Sequence, residues 1–153
     1  MAKRKPARRP TPPEDPGVEA RYTFPARTAE MEKVLGELLG AIKKTKLRCG
    51  DIDEIRLALR EALNNALKHG SRLDTSKKIY FAYRCDPRQG LWVMVRDEGS
   101  GFDPEVVPDP TIPENLDRTG GRGVFLMRNL MDKVEFRDGG REVQMWRHLR
   151  SES

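Results

Sequence analysis

Two apolar stripes with helical spacing, one directly after the other, constrain this chain more than any other feature. Met31, Val34, Leu35, Leu38, Leu39 and Ile42 recur every three to four residues; after a break at Cys49-Gly50, so do Ile52, Ile55, Leu59, Leu63 and Ala66. Each stripe marks one face of an amphipathic helix, and such a face needs an apolar surface to cover it. Thr28 and Asp51 are placed to cap the two helices, and Gly70 to end the second. The covering surface is written in the other period. KKIYFAYRCD and LWVMVRDEG, joined by Asp86-Pro87-Arg88-Gln89-Gly90, read as a β-hairpin, and KVEFRD and REVQMWRHL about Gly139-Gly140 read as another. VEARYTFPA, from Val18, alternates as a short strand that Pro25 ends or confines to an edge. Val124 to Met131 adds a third helix. The order strand, two helices, hairpin, loop, helix, hairpin predicts an α+β fold. We expect a two-layer sandwich of a mixed, mostly antiparallel sheet with helices on one face. Trp92 and Trp146 fall on strands, where core packing is the expectation.

The chain of 153 residues has room for one such domain, spanning 18–149. Residues 1–17 hold five of the eleven prolines and almost nothing to bury, which predicts a disordered basic tail. That tail also disposes of the most obvious misreading. The formal net charge of +5 invites a nucleic-acid partner, but the tail alone carries five basic residues against two acidic ones, leaving the rest close to neutral. No direct nucleic-acid contact is expected. No run approaches the roughly 20 apolar residues that cross a bilayer, and the start lacks a signal-peptide core, so no membrane is expected. Two cysteines, Cys49 and Cys85, cannot build a disulfide framework, which suits a reducing cytoplasm.

Three polar segments carry the chemistry. On the second helix, Glu61, Asn65 and His69 follow i, i+4, i+8 spacing and form one polar line beside the apolar stripe. A carboxylate there suits a general base, and an amide oxygen one turn on suits Mg²⁺, which takes hard oxygen ligands. The same line equally suits an exposed polar face whose histidine favours the helix dipole. Asp97-Glu98-Gly99-Ser100-Gly101-Phe102-Asp103 follows an apolar strand: an acid to accept from a ligand amine, with glycines that let backbone approach a flat ring, or simply a strand-ending turn. Thr119-Gly120-Gly121-Arg122-Gly123-Val124 leads into a helix N-terminus, whose free N–H groups and dipole suit phosphate, with Arg118 and Arg122 as added cations; a hinge is the alternative. Between the last two lies a proline-rich stretch from Gly99 to Gly121, long enough to need a functional reason. Neither GxxxxGK[ST] nor a GxGxxG after the first strand is present, which excludes a P-loop or a dinucleotide-binding Rossmann domain.

ExxxNAxxHG on a helix, DEGSGFD after a strand and GGRGVFLMRNLMD opening a helix occur here in that order. This set resembles the GHKL (Bergerat) ATP-binding fold of gyrase, Hsp90, histidine kinases and MutL, over about residues 18–149. GRGVFLMRNLMDKVEF is particularly similar to the compact anti-sigma-factor serine kinases of bacteria. The resemblance implies ATP and Mg²⁺ as ligands, with Glu61 catalytic, Asn65 holding Mg²⁺ and His69 near the nucleotide. It implies Asp97 on the adenine amino group, Gly99 and Gly101 lining the base pocket, and Thr119, Gly120, Gly121, Arg122, Gly123 and Val124 around the phosphates. Residues of about 102–120 become an ATP lid, with Arg118 reaching the terminal phosphate. Gly120 stands where better-known members often have serine. The implied function is an ATP-dependent serine/threonine protein kinase acting as an anti-sigma factor by partner switching. Its implied partners are a STAS-domain antagonist, a sigma factor and a second copy in a homodimer. The alternative is an ATP-binding module that sequesters a partner without kinase turnover. A histidine kinase is not expected, because His69 and His148 both lack a dimerisation-helix context.

Overall fold

A computed structural model describes residues 18–44, 47–48, 52–86, 89–101, 119–148 and 150–151. The tail 1–17, the Cys49-Gly50 break, the Asp51 cap and residues 102–118, including Arg118, lie outside the described residues. Strand β1 (Val18–Pro25) leads into helix α1 (Thr28–Lys44), and the two-residue strand β2 (Leu47–Arg48) precedes helix α2 (Ile52–Asn64). Strands β3 (Lys78–Asp86) and β4 (Gly90–Asp97) follow, then helix α3 (Thr119–Leu130), β5 (Lys133–Arg137), β6 (Glu142–Arg147) and the short β7 (Arg150–Ser151).

Five strands form one sheet in the order β1-β3-β4-β6-β5, antiparallel at every pair. Pro25 sits where it costs least, at the end of an edge strand, because it has no N–H to give to the ladder. A second two-stranded pairing, β2 with β7, had no signal in the sequence. All three helices cover one face. The six apolar residues of the α1 stripe are all buried, and so are Ile55, Leu59, Leu63 and Ala66 of the second; Ile52 packs partly buried at the margin. They meet the inward residues Phe81, Tyr83, Val93, Val95, Val143 and Met145 of the sheet. Arg147 closes one end of the sandwich: its guanidinium donates to Glu54 on α2 at 2.9 Å and to the Leu130 carbonyl at the end of α3.

Four local expectations change. Helix α1 starts at Thr28 rather than being capped by it, since the Met31 N–H donates to the Arg27 carbonyl at 3.1 Å and Arg27 therefore holds the cap position. The second helix does not run as an α-helix to Gly70. It ends at Asn64 and continues as a π-helical turn, Asn65–Gly70, in which the Ser71 N–H reaches back five residues to Ala66 at 2.8 Å. Helix α3 begins at Thr119, five residues before Val124, so the glycine-rich segment is the first turn of the helix and not a loop ahead of it. Trp92 and Trp146 are not core residues. They pair across β4 and β6 on the face away from the helices. There Trp92 donates to Gln144 at 3.1 Å, and Arg84 and Lys133 lie over the two rings at 5.8 and 5.0 Å.

Candidate functional site

Two ends of α2 and its π-helical extension meet the rest of the site. At the far end, Gly70 lies against the last residue of β4. A Cβ on Gly70 would stand 2.3 Å from the Asp97 Cγ, and one on Gly99 would stand 2.0 Å from the Gly70 carbonyl oxygen. Only glycine permits this double approach, because any real Cβ needs well over 3 Å from such atoms. The π-helical turn places one extra residue in the last turn of the helix and carries Gly70 to this contact; such turns are frequent at functional sites. Gly101, with φ of +79°, turns the chain away from β4, and a Cβ there would stand 2.1 Å from the Gly139 carbonyl oxygen.

Asp97 is the centre of this end. It is 6% exposed, one of two buried polar residues among those described. Its Oδ1 accepts the Gly99 N–H at 2.7 Å and its own N–H donates to the Arg141 carbonyl at 2.9 Å. Burial pushes the carboxyl above the ordinary aspartate value, against the Gly99 hydrogen bond and the charges of Arg141, Arg96 and Lys77, which pull it down. A cavity opens beside it, lined by Asn65, His69, Gly70, Asp97, Gly101 and Arg141 on its polar side. Ala62, Ala66, Val95, Met127, Phe136 and Val143 line its apolar side. Apolar walls with a few convergent polar groups are the make-up of a small-molecule site, and the exposed edge of Asp97 offers an acceptor inside it.

Earlier along the same helix, Glu61 and Asn65 face α3. A Cβ on Gly123 would stand 3.1 Å from the Glu61 Oε2 and 3.3 Å from both amide atoms of Asn65. The two half-buried side chains therefore flank the helix at a point where it has no side chain of its own. The first-turn N–H groups of α3, at Thr119, Gly120 and Gly121, have no acceptor four residues earlier within the helix, the arrangement by which a helix N-terminus suits an anion. Thr119 to Arg122 are described as backbone only, and Val124 turns its side chain into the core. His69 lines the cavity as an exposed side chain at its rim.

Of the residues singled out from sequence, Asn65, His69, Asp97 and Gly101 thus share one cavity, Gly99 abuts it, and Glu61 and Gly123 meet beside it. Sequence reasoning missed two contributors. Gly70 was read as a helix stop and as the last residue of ExxxNAxxHG, with no contact of its own assigned to it. Arg141 was read only as the first residue of the strand REVQMWRHL, after the turn at Gly139-Gly140, and nothing in that pattern marks it as a cavity residue.

The donor set fits a nucleotide and its metal in a particular way. The glycine contacts close the backbone tightly around one end of the cavity, and Asp97 in its lining is an acceptor that a ligand amine could use. Among the described residues no cluster of three or more His, Cys, Asp or Glu exists that could hold a metal ion. Mg²⁺, if bound, would take the Asn65 amide oxygen together with phosphate oxygens and water, the coordination this ion ordinarily prefers.

The chain matches the family model described as "Histidine kinase-like ATPase domain" over residues 24–147. Among curated relatives, it is 27% identical over 135 residues to the serine-protein kinase RsbW of Staphylococcus aureus strain JH9, covering 84% of this chain and 85% of the relative. The same figures hold for the serine-protein kinase RsbW of Staphylococcus aureus strain Newman. No helix among the described residues is long and apolar enough to cross a membrane.

Proposed function

Because the chain belongs to the histidine kinase-like ATPase domain family, we propose that it is a cytoplasmic ATP-dependent protein-serine/threonine kinase that acts as an anti-sigma factor by partner switching. Its protein substrate is a STAS-domain antagonist, and it works as a homodimer. One observation carries the reading: a single helix and its π-helical extension bring Gly70 to Asp97 and Gly99 at one end and Glu61 and Asn65 to Gly123 earlier along its length. A base-recognition end and a phosphate end are thereby held at a fixed separation.

In this reading Asp97 accepts from the adenine amino group, with Gly99 and Gly101 lining the base and His69 at the rim. The first turn of α3, from Thr119 to Gly123, receives the phosphates, with Arg118 and Arg122 adding cationic charge. Mg²⁺, held through Asn65, would neutralise charge on the terminal phosphates. Glu61 accepts the proton of the incoming serine hydroxyl while the N–H groups of α3 stabilise the equatorial oxygens of the phosphoryl group. Phosphoryl transfer asks mainly for positioning and charge neutralisation, and these groups supply both.

The test is transfer of radiolabelled phosphate from ATP to a STAS-domain protein encoded beside this chain. Glu61→Gln should lower the rate by roughly 10²- to 10⁴-fold, the usual worth of a general base, while ATP binding persists. Equal transfer by both proteins would refute the role of Glu61. No transfer by either, with unchanged partner binding, would favour a sequestering module.

A further inference from the structure

Among the described residues that line the cavity, the function just proposed gives no role to Arg141. Arg141, the first residue after the turn between β5 and β6, holds the Asp97–Gly101 segment by two hydrogen bonds and lies beside Gly101. Its carbonyl accepts the Asp97 N–H at 2.9 Å, its Nε donates to the Gly99 carbonyl at 2.7 Å, and its Cγ lies 3.5 Å from where a Gly101 Cβ would stand. The guanidinium is itself held, with Nη1 3.4 Å from both the carbonyl and the Oδ1 of Asp138. Arg141 and Asp97 line the same cavity.

We propose that Arg141 is a positioning residue that sets base selectivity, by fixing the Asp97 carboxylate where it takes a purine with an exocyclic amino donor and rejects one with a keto oxygen there. The proposal rests on the nucleotide reading above and deepens it. Its logic is geometric. A carboxylate is acceptor-only when ionised, so it pairs with the 6-amino group of adenine and is repelled by the 6-keto oxygen of guanine. Guanine, however, also carries N1–H and 2-amino donors on the neighbouring edge. A carboxylate free to shift by an ångström could take those instead, and selectivity would fall. Asp97 is kept from shifting on its N-terminal side by the β-sheet and on its C-terminal side by the Gly99 carbonyl held to Arg141. The planar fork matters as much as the charge, because a guanidinium can serve Gly99 and Asp138 together, whereas an ammonium is a single compact point.

The experiment is titration of ATP and GTP, each with Mg²⁺, into the full chain and into Arg141→Met and Arg141→Lys, with melting temperatures to confirm folding. Methionine keeps the aliphatic stem against Gly101. Wild type should prefer ATP, and in Arg141→Met the ATP-to-GTP affinity ratio should fall roughly tenfold, ATP binding weakening and GTP binding gaining, about the worth of one hydrogen bond to a charged donor. Arg141→Lys should lose most of the same selectivity. Should Arg141→Met fail to fold, Arg141→Lys carries the test alone. Unchanged ATP-to-GTP preference in a folded variant overturns the proposal, and full recovery in Arg141→Lys reduces the residue to a bare charge and overturns it as well. Wild-type protein that binds neither nucleotide overturns the underlying pocket reading first, and the proposal with it.

Discussion

Gly70→Ala is the sharpest perturbation the structure offers, because it adds one methyl group at the junction of two motifs. That carbon would stand 2.3 Å from the Asp97 Cγ and Oδ2 and 2.5 Å from Oδ1. Non-bonded carbons rest near 3.5–4.0 Å, so the carboxylate must retreat by more than about 1 Å. It has little room to do so: Asp97 is 6% exposed, and its Oδ1 holds the Gly99 N–H at 2.7 Å. A retreat of that size would carry the bond past the roughly 3.2 Å at which such bonds are ordinarily found. Overpacking costs about 1–3 kcal/mol and a hydrogen bond to a charged group about 1.5–3 kcal/mol, and the two overlap. A loss of roughly 2–4 kcal/mol is expected, which for a domain of this size lowers the melting temperature by about 4–15 °C. Gly36→Ala is the matched control. Gly36 lies within α1 with nothing within 4 Å of a Cβ, so alanine there should stabilise by about 0.5–1 kcal/mol. Urea unfolding of the two variants beside wild type, with ATP titration of each, checks the reasoning. Gly36→Ala should keep wild-type affinity and Gly70→Ala should lose it. A Gly70→Ala protein as stable as Gly36→Ala would refute the claim that the Gly70–Asp97 approach is as close as described.

Asp97→Asn separates stability from binding. Burial raises the Asp97 carboxyl above its ordinary value of 3.8, so the native state holds this proton more tightly than the unfolded chain does. Its contribution to stability is therefore greatest below pH 3.8, declines as pH rises to the raised value, and is flat beyond it. Urea unfolding across that window should show the decline in wild type and lack it in Asp97→Asn, which keeps an acceptor for Gly99 yet should bind ATP poorly; parallel pH curves would contradict the assignment. The two tryptophans of the chain, Trp92 and Trp146, lie on the face of the sheet away from the helices, with the cavity on the other side. Intrinsic fluorescence should accordingly be insensitive to ATP, and a large quench on binding would place the ligand elsewhere.

The layer architecture was legible because periodicity is a property of the chain alone. The helical stripes named their own buried faces, and the α1 stripe was correct residue for residue. The tryptophans were misread for a reason in the same pattern. Leu91, Trp92, Val93, Met94 and Val95 form an unbroken apolar run, so alternation could not say which set faces inward. Outward-facing Trp92 is covered by Arg84 and by Gln144 on a neighbouring strand, partners that only the strand register reveals.

The site was legible in its residue types and illegible in its joints. Glu61, Asn65, Asp97 and Gly123 were singled out because three segments with those residue types occur together and in order, although each segment alone also suits a plain structural reading. What assembles them is decided by contacts between segments far apart in sequence. A π-helical turn is a hydrogen-bond register, not a composition, and an α-helical continuation of NALKHG would have been the default from propensity. The wider turn is held where Gly70 is pinned between Asp97 and Gly99, so the cause of the register lies some 27 residues downstream of it. Arg141 is hidden for the same reason. In the sequence it is one more charged residue after a glycine turn, and only the pairing of β4 with β6 sets its carbonyl and its guanidinium against the segment that carries Asp97. The two glycine clusters and the acid specify which chemistry is available. The sheet register and the wide helical turn decide that all of it is available at one place.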